Sequence, residues 1–327
     1  MSTVAVVGAG LSGLVAAHGL SRDHDVTVFE KSRSVGGRIA TRYAGGCEFD
    51  HGAQFFIARS AAFQAFLQPL IEQGVIASWS PRFAELERSK VIATRQWHDE
   101  NPHYVGVPRM NAIGKWLATG LDIRLLTTVA GLERRNNHWL LSDSSGSTLG
   151  QFDWVVVTAP APQTSALLSA SVRIRQHSEA ARMQGCFALM LAFEQPLELP
   201  WQAARVHQAD ISWVSVNSSK PGRAEQFCLV VHSTNAWADA HIDDTDESVL
   251  TRLLAECSEV MGVEAHKAAY CGMQRWRYAN IGAADGPACC IDADLQLAAC
   301  GDWFIHGRVE AAHTSAHALL QALKQHL

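Results

Sequence analysis

The sequence predicts an α/β protein of α+β organisation: a discontinuous, doubly wound domain with an inserted domain of mixed sheet and helices. Two observations predict this fold. The chain opens with a strand, a glycine-rich turn, a helix and a second strand, and it closes with "LQLAACGDWFIHGRVEAAHTSAHALLQALKQHL", again strand, turn and helix. Because such elements at both ends build one parallel sheet, the sequence between them, which has a different pattern, is predicted to contain an inserted domain.

The first element is a β-branched run at residues 3–7 that leads directly into glycines. Apolar residues then recur at helical spacing from Leu11 to Leu20, and "DVTVFE" at residues 25–30 alternates as a strand does. This order is typical of the βαβ unit that opens a doubly wound sheet.

The text changes after residue 57, where "ARSAAFQAFLQPLIEQGVIASW" has the periodicity of an amphipathic helix. A helix at "MNAIGKWLATGL" and short strands follow, ending in the buried strand "FDWVVVTAPAP", which its prolines stop. Strand-like runs and a helix near residues 245–261 fill the rest of the middle. The predicted domains are residues 1–57, 104–162 and 270–327 for the discontinuous domain, and residues 58–103 and 163–269 for the inserted one.

Composition excludes several classes of function. The 327 residues are 48% hydrophobic and 18% charged, and the formal charge of -5 disfavours nucleic acid and anionic membranes as partners. No apolar run approaches the roughly 18 residues of a membrane helix, and the first residues are not a secretory signal, so a cytoplasmic protein is expected. The eight cysteines have neither CxxC nor metal-type spacing, which predicts reduced thiols and no metal site.

The first motif is GAGLSG, with Gly8, Gly10 and Gly13 between a strand and a helix. Glycines there allow a tight turn, close approach of backbone N–H groups to a pyrophosphate, and close packing of helix on sheet. Glu30 ends the next strand, where a carboxylate accepts both hydroxyls of an unphosphorylated ribose. A purely structural glycine turn is the alternative, but the context favours a dinucleotide.

A second motif, Gly36, Gly37 and Arg38, follows so soon that it is predicted to lie over the same pyrophosphate. Together the two motifs resemble the FAD-binding pattern of glutathione-reductase-type flavoproteins, particularly their amine oxidase branch. The resemblance implies a Rossmann-type FAD-binding domain for the discontinuous part of the chain.

Two further tracts carry the resemblance. In "EFDHGAQFFIAR", the residues Asp50 to Phe55 match a segment that passes beside the isoalloxazine ring in that branch. In "CGDWFIHGRVEAAH", the resemblance implies that Asp302 holds a ribityl hydroxyl and that the next helix N-terminus faces the flavin pyrimidine. The cofactor residues so expected are Gly8, Gly10, Leu11, Ser12, Gly13, Glu30, Lys31, Gly37, Arg38, Asp50, Gly52, Ala53, Gln54, Val129, Thr158, Ala159, Gly301, Asp302, Arg308, Val309 and Glu310.

The whole chain is similar to the bacterial renalase-like flavoproteins, through the tracts "NSSKPGR", "VVHSTNAW", "RWRYA" and "GDWFIHGRVEAA". This resemblance implies an oxidase of dihydronicotinamide dinucleotides whose hydride is at ring position 2 or 6. The hydride passes to flavin N5, and dioxygen reoxidises the flavin to give NAD(P)⁺ and hydrogen peroxide. Such chemistry needs positioning more than acid–base groups, and no catalytic residue is assigned.

Recognition of a dinucleotide would use aromatic, amide and cationic side chains. The candidates are Gln54, Phe55, Asn217, His232, Trp276 and Tyr278. For each of them a place in the core is an equally open interpretation. Two other functions also remain open: an amine oxidase or desaturase of another small molecule, and a module that binds FAD without turnover.

Two features depart from the family pattern. His306 and His313 lie near the "GDW" ending and would alter the polarity of the pocket. Cys289 and Cys290 lie roughly where monoamine oxidases attach flavin, but in a different context, so noncovalent FAD is expected. A monomer or weak dimer is expected, while the physiological donor and the choice between NAD and NADP forms stay open.

Overall fold

A computed structural model describes residues 1–98, 100–282, 284 and 286–327. In these ranges the strands are β1 (Thr3–Val7), β2 (Asp25–Phe29), β3 (Arg42–Ala44), β4 (Cys47–Phe49), β5 (Ile76–Ser78), β6 (Arg82–Glu87), β7 (Lys90–Gln96), β8 (Tyr104–Gly106), β9 (Asp122–Arg124), β10 (Gly131–Arg135), β11 (His138–Ser142), β12 (Thr148–Phe152), β13 (Trp154–Val157), β14 (Met183–Ala192), β15 (Ala203–His207), β16 (Ile211–Val216), β17 (Cys228–Ser233), β18 (Tyr270–Ile281), β19 (Cys289–Asp292) and β20 (Leu297–Cys300).

The helices in the same ranges are α1 (Leu11–Leu20), α2 (Ala61–Glu72), α3 (Ala112–Leu117), α4 (Ala161–Leu167), α5 (Arg173–Ala180), α6 (Asn235–Ala240), α7 (Asp246–Met261) and α8 (Val309–Leu323). Single 3-10 turns cover Asn217–Ser219, Ala265–Lys267 and Asp302–Phe304. None of the helices described is both long enough and apolar enough to cross a membrane.

The chain divides into two compact units. The first contains Met1–Ile39, Gly114–Met183 and Ile281–Leu327, and the second contains Ala40–Ile113 and Gln184–Asn280. This division differs from the predicted domain boundaries in four segments. Residues 40–57, 104–113 and 270–280, predicted for the discontinuous domain, lie in the second unit, and residues 163–183 lie in the first.

Packing explains these differences. The side chain of Asp50 is bonded to Arg223, which ties its segment to the second unit. Strand β18 extends the sheet of that unit beside β14. In the first unit, Val172 and Ile174 are buried against the same core as Val157, so α5 packs with that unit.

The first unit is built on a six-stranded sheet in the order β19-β20-β13-β1-β2-β9. The pairs β1–β2, β1–β13, β13–β20 and β2–β9 are parallel, and β19 joins antiparallel to β20. The apolar runs of β1, β2 and β13 are almost entirely buried, as parallel strands covered on both faces require. The carboxyl ends of the five parallel strands therefore meet at one edge of the sheet, where ligands of such folds bind.

The second unit is built on a seven-stranded sheet in the order β18-β14-β17-β16-β15-β6-β7. One face of this sheet packs on α7, which buries Val249, Leu253, Cys257 and Val260 among side chains of β14, β16 and β17. Helix α7 begins at the Thr245 side chain, which accepts from the N–H of Ser248, and ends at Gly262 in the left-handed conformation. The other face carries the polar and aromatic side chains described below.

Candidate functional site

Strand β1 of the first unit ends in a glycine turn. Gly8 has a φ of 110°, a conformation that L side chains rarely adopt. A Cβ on Gly13 would lie 1.9 Å from the carbonyl oxygen of Gly8, so α1 packs directly against the turn. A Cβ on Gly10, in contrast, would meet no protein atom within 4 Å. The N-terminus of α1 therefore faces open space that a ligand phosphate can enter.

Glu30 lies immediately beyond β2 and is buried. Its Oε2 accepts from the N–H of Ala9 and its Oε1 from the N–H of Ser32, each at 2.8 Å. Each carboxylate oxygen retains a second lone pair, which a ribose hydroxyl can use. The carboxylate is thus fixed beside the glycine turn with lone pairs free for further donors.

The second glycine motif lies against the first. The N–H of Gly36 donates to the carbonyl oxygen of Ala9 at 2.8 Å, and a Cβ on Gly37 would lie 3.2 Å from the Cα of Gly10. Gly37 also has a positive φ of 55°. Both predicted phosphate-binding glycine segments are therefore brought to one place.

Arg38 and Asp302 bind each other. The guanidinium Nη1 donates to Oδ2 at 2.9 Å and Nη2 donates to Oδ1 at 2.5 Å, a bidentate pair between residues assigned separately to pyrophosphate and ribityl groups. The pair links the glycine motif to the segment after β20. A ligand at this place would meet a guanidinium and a carboxylate that already hold each other in fixed orientations.

The remaining predicted cofactor residues of the first unit have mixed environments. Arg308 is exposed and precedes α8 with a φ of 92°, which directs the chain into the first turn at Val309 and Glu310. Thr158 donates to the carbonyls of Val7 and Gly8, and Ser12 donates to that of Ala312. Of the others, Leu11 is buried, Val129 and Ala159 are partly buried at the edge of the core, Gly301 donates its N–H to Ser315, and Lys31 is exposed.

The first unit thus offers an open helix N-terminus, a buried carboxylate with unused lone pairs and an oriented guanidinium at adjoining strand ends. These groups fit the adenosine and pyrophosphate parts of FAD. The strongest observation for this fit is the free space beside Gly10, which can hold the phosphates. In the described residues no group of three or more His, Cys, Asp or Glu side chains is arranged to hold a metal ion.

The second unit contains a fully buried ion cluster centred on Asp50. Arg223 donates to Asp50 through Nη2 at 2.6 Å and Nε at 3.1 Å, and Lys220 Nζ lies 3.6 Å away. The hydroxyl of Thr41 and the N–H of Met110 complete its shell at 2.7 and 3.0 Å. Burial opposes ionisation, but the two cations and these donors hold the pKa of Asp50 below its usual value.

Lys220 has no exposed side-chain surface. Its Nζ donates to the Asn217 Oδ1 at 3.0 Å and to the Gln54 Oε1 at 3.1 Å, and it lies 5.5 Å from the centre of the Trp79 ring. Burial lowers its pKa to about 8, with Asp50 opposing that effect. Lys220 is therefore charged at neutral pH and close to losing its proton above it.

The amide of Gln54 is fully hydrogen-bonded. Its Oε1 accepts from Ser215 at 2.8 Å as well as from Lys220, and its Nε2 donates to the carbonyls of Asp50 and Gly52. The same nitrogen lies 3.3 Å from His232 Nε2. These partners fix the orientation of the amide, so the nitrogen side faces the histidine.

Two histidines border this cluster. Burial lowers the pKa of His232 to about 3 and that of His51 to about 4, with Lys220 and Arg42 respectively adding to the effect. Trp276 stacks on His51 at 5.2 Å and donates its Nε1 hydrogen to the carbonyl oxygen of His51 at 2.9 Å. Among the residues described, the buried Nδ1 of His51 has no hydrogen-bond partner. Both imidazoles are neutral at physiological pH.

The other predicted substrate residues also lie in the second unit. Asn217 is buried and donates to the carbonyl oxygen of Glu48, while Phe55 contacts an aromatic cluster of Trp97, His103 and Trp213. Tyr278 is half-buried two residues beyond Trp276 on β18. The cofactor candidates Asp50, Gly52, Ala53 and Gln54 are in this unit too.

Sequence reasoning missed several members of the cluster. Lys220 and Arg223 stand in the tract "NSSKPGR", from which only Asn217 was selected. A lysine and an arginine bracketing a Pro-Gly turn look like ordinary surface residues. A signal was available in the tract itself, because these two cations follow a strongly apolar strand.

Comparison with known proteins identifies what the chain resembles. A family model described as flavin containing amine oxidoreductase matches residues 73–288, and one described as an NAD(P)-binding Rossmann-like domain matches residues 6–70. The chain is 23% identical to renalase of Mus musculus over 354 residues, covering 100% of both chains. Identity to polyamine oxidase 4 of Oryza sativa subsp. japonica is 46% but over 54 residues, 16% of this chain and 11% of that protein.

Solved structures of the same fold include a putative protoporphyrinogen oxidase from Exiguobacterium sp. 255-15, with a TM-score of 0.81, 13% identity and 99% coverage of both chains. Wild-type putrescine oxidase bound to putrescine has a TM-score of 0.71 at 14% identity, again with 99% of both chains covered. At these identities the likeness is one of fold.

Two glycine variants should separate folding from cofactor binding. Gly10→Ala adds a Cβ that meets no protein atom within 4 Å, so the melting temperature of the apoprotein should stay at the wild-type value. The same methyl enters the space for the phosphates, so FAD affinity should fall by about tenfold or more, which fluorescence titration measures.

Gly13→Ala is the contrasting variant. Its Cβ would lie 1.9 Å from the Gly8 oxygen, so it should lower the melting temperature as well. Unchanged FAD affinity in Gly10→Ala would contradict the assignment.

Lys220→Met should change how stability depends on pH. The pKa of Lys220 is about 8 in the folded protein, whereas an unfolded lysine has a pKa of about 10.4. Between these values the unfolded chain holds the proton and the folded chain does not, so wild-type stability rises with pH through this window. The variant lacks that gain. Denaturant unfolding at pH 7 and pH 10 should show wild type gaining roughly 2 to 3 kcal/mol over the variant. Lys267→Met, which removes an exposed ammonium, is the control. A difference in the free energy of unfolding between wild type and Lys220→Met that does not change with pH would contradict the lowered pKa of Lys220.

Proposed function

Because the chain belongs to the flavin containing amine oxidoreductase family, we propose that it is a renalase-like oxidase of isomeric dihydronicotinamide dinucleotides. It is an FAD-dependent oxidoreductase. The bound flavin supplies a two-electron acceptor that dioxygen regenerates with release of hydrogen peroxide. The substrate is a 2- or 6-dihydro-NAD(P), which loses its ring hydride and leaves as NAD(P)⁺.

The charge of the buried cluster is the observation that carries this proposal. Lys220 and Arg223 face a single carboxylate, Asp50, so the cluster has one excess positive charge at neutral pH. An amine substrate is itself a cation near pH 7, and a buried positive cluster disfavours its approach. A dinucleotide carries negative phosphates, which the same charge attracts. The cluster therefore supports an anionic substrate over an amine.

The protonation states support the same substrate. His51 and His232 are unprotonated at pH 7 but only weakly basic, since their pKa values are about 4 and about 3, and Asp50 is paired with its cations, so these groups offer no strong base. An ammonium substrate must lose a proton before it can donate a hydride. A dihydropyridine needs no such step, because its ring nitrogen already drives hydride loss. The residues then act by holding and orienting the ring.

The candidate substrate residues acquire roles in this proposal. Gln54 is bonded within the protein at both ends of its amide, so its role is to position Lys220 and His232 and not to bind the carboxamide itself. His232 and Trp276 provide flat neutral surfaces for the ring. Phe55, Asn217 and Tyr278 belong to the same unit. The match to mouse renalase over the whole of both chains supports this choice, since the polyamine oxidase match covers only 54 residues.

We further propose noncovalent FAD, no membrane or nucleic-acid partner, a monomer or weak dimer, and a cytoplasmic location.

Anaerobic mixing tests the substrate class. The purified yellow protein should be bleached within seconds by 6-dihydro-NAD, and admission of air should restore the colour with one hydrogen peroxide per substrate. Ordinary NADH, whose hydride is at position 4, is the matched control and should react far more slowly. Bleaching by putrescine or another amine, with none by 6-dihydro-NAD, would replace the proposal with an amine oxidase. A yellow protein reduced by no donor would indicate a binding module.

Acid precipitation tests the attachment of the flavin. Cys289 and Cys290 lie on β19 in the first unit, and burial raises the pKa of both thiols, which disfavours the thiolate needed for attachment. The flavin should therefore be released completely into the supernatant. Yellow colour retained in the washed protein pellet would show a covalent bond, and Cys289→Ser and Cys290→Ser would identify the thiol.

A further inference from the structure

Neighbouring strands of the second unit place four side chains in one row across the sheet. In the strand register His232 of β17 is opposite Trp213 of β16, Trp213 is opposite Arg205 of β15, and Arg205 is opposite Glu85 of β6. Directly paired residues project from the same face of a sheet. With strands about 4.8 Å apart, Arg205 lies about 10 Å from His232 along this row.

Trp213 forms the half-buried edge of an aromatic cluster. Its ring centre lies 5.4 Å from that of Phe55 and 6.1 Å from that of Phe83, and Phe83 in turn stacks on Trp97 at 5.0 Å. Phe83 and Trp97 are buried, whereas Trp213 and Phe55 are half-buried. The cluster therefore supports a flat surface that remains partly uncovered.

Trp213 also carries an unused donor. Its Nε1 is inaccessible to solvent and has no hydrogen-bond partner within the part of the chain that the structure describes. A buried donor without an acceptor is costly. A ligand can therefore use the uncovered part of the Trp213 ring for stacking, whereas the buried Nε1 is not offered to it.

Arg205 follows Trp213 in the row and is exposed. The carboxylate opposite it, Glu85, is already occupied: Arg95 lies 3.7 Å from one of its oxygens and His207 lies 3.4 Å from the other. Over residues 1–98, 100–282, 284 and 286–327, the Arg205 side chain makes no hydrogen bond or ion pair. Its guanidinium is available to an anion.

We propose that Arg205 binds the pyrophosphate of the dinucleotide substrate and that Trp213 forms the wall between this group and His232. The inference rests on the proposed function, since it assumes a dinucleotide. A planar guanidinium fork pairs with two phosphate oxygens at once. The distance of about 10 Å between Arg205 and His232 leaves room for a nicotinamide ring and one ribose between them. Specificity for a dinucleotide over a simple amine would then reside in this row of side chains.

The test compares Arg205→Gln with Arg82→Gln. Arg82 is an exposed arginine at the start of β6, and strand alternation places it on the opposite face of the same sheet. Anaerobic stopped-flow reduction is measured with 6-dihydro-NAD and with 6-dihydronicotinamide riboside, which has no phosphate. Arg205→Gln should raise the apparent Kd of the dinucleotide by about tenfold without changing the limiting rate. The Kd of the riboside should not change, and Arg82→Gln should behave as wild type.

The outcomes separate the inference from the function on which it rests. If wild type is not reduced by 6-dihydro-NAD, the proposed function fails and the role of Arg205 fails with it. If wild type is reduced but Arg205→Gln binds the dinucleotide as wild type does, only the inference is overturned. An equal loss with both substrates also overturns it, because a phosphate contact cannot affect the riboside. Arg205→Lys, which keeps the charge but not the fork, should recover part of the affinity. Calorimetric titration of the holoenzyme with NAD⁺ should show the same order of affinities.

Discussion

A fully buried carboxylate has to be surrounded by donors, and Asp50 imposes this requirement on three separate segments of the second unit. The segment of Thr41, the loop at Met110 and the turn from Lys220 to Arg223 all converge on its two oxygens. Removing one partner would leave an uncompensated charge in the interior, which costs far more than the pair contributes. Through Lys220 the same constraint helps to fix Gln54, so one buried charge positions several polar side chains around it.

The two units meet the needs of ligands by different means. In the first unit the predicted cofactor segments are glycine turns at Gly10 and Gly37, beside the Glu30 carboxylate that the backbone amides of Ala9 and Ser32 hold. In the second unit the donors are side chains such as Lys220 and Arg223. The predicted cofactor segments are therefore shaped mainly by the backbone, whereas the polar cluster of the second unit is made by individual side chains.

The predicted fold class and family are confirmed, and the reasons lie in local patterns. Glycines, a β-branched run and a carboxylate at the next strand end are all close in sequence, so Gly8, Gly13 and Glu30 could be assigned roles from the text. Helix α7 was likewise predictable from its period and from Gly262 at its end. Lys220 and Asp50 are 170 residues apart, and no local pattern connects them. The β6–β7 hairpin and the row through Trp213 depend on strand pairing, which periodicity alone does not specify.

The carboxylate of Glu30 has a consequence for exchange of the cofactor. Both of its oxygens are already held by the amides of Ala9 and Ser32, so the ribose site is formed by the folded chain itself. The entropy of ordering this loop is lost during folding and not at the moment of binding. Removal of the flavin would then leave a receptive surface instead of a collapsed one, and the apoprotein would regain its colour from free FAD without passing through an unfolded state.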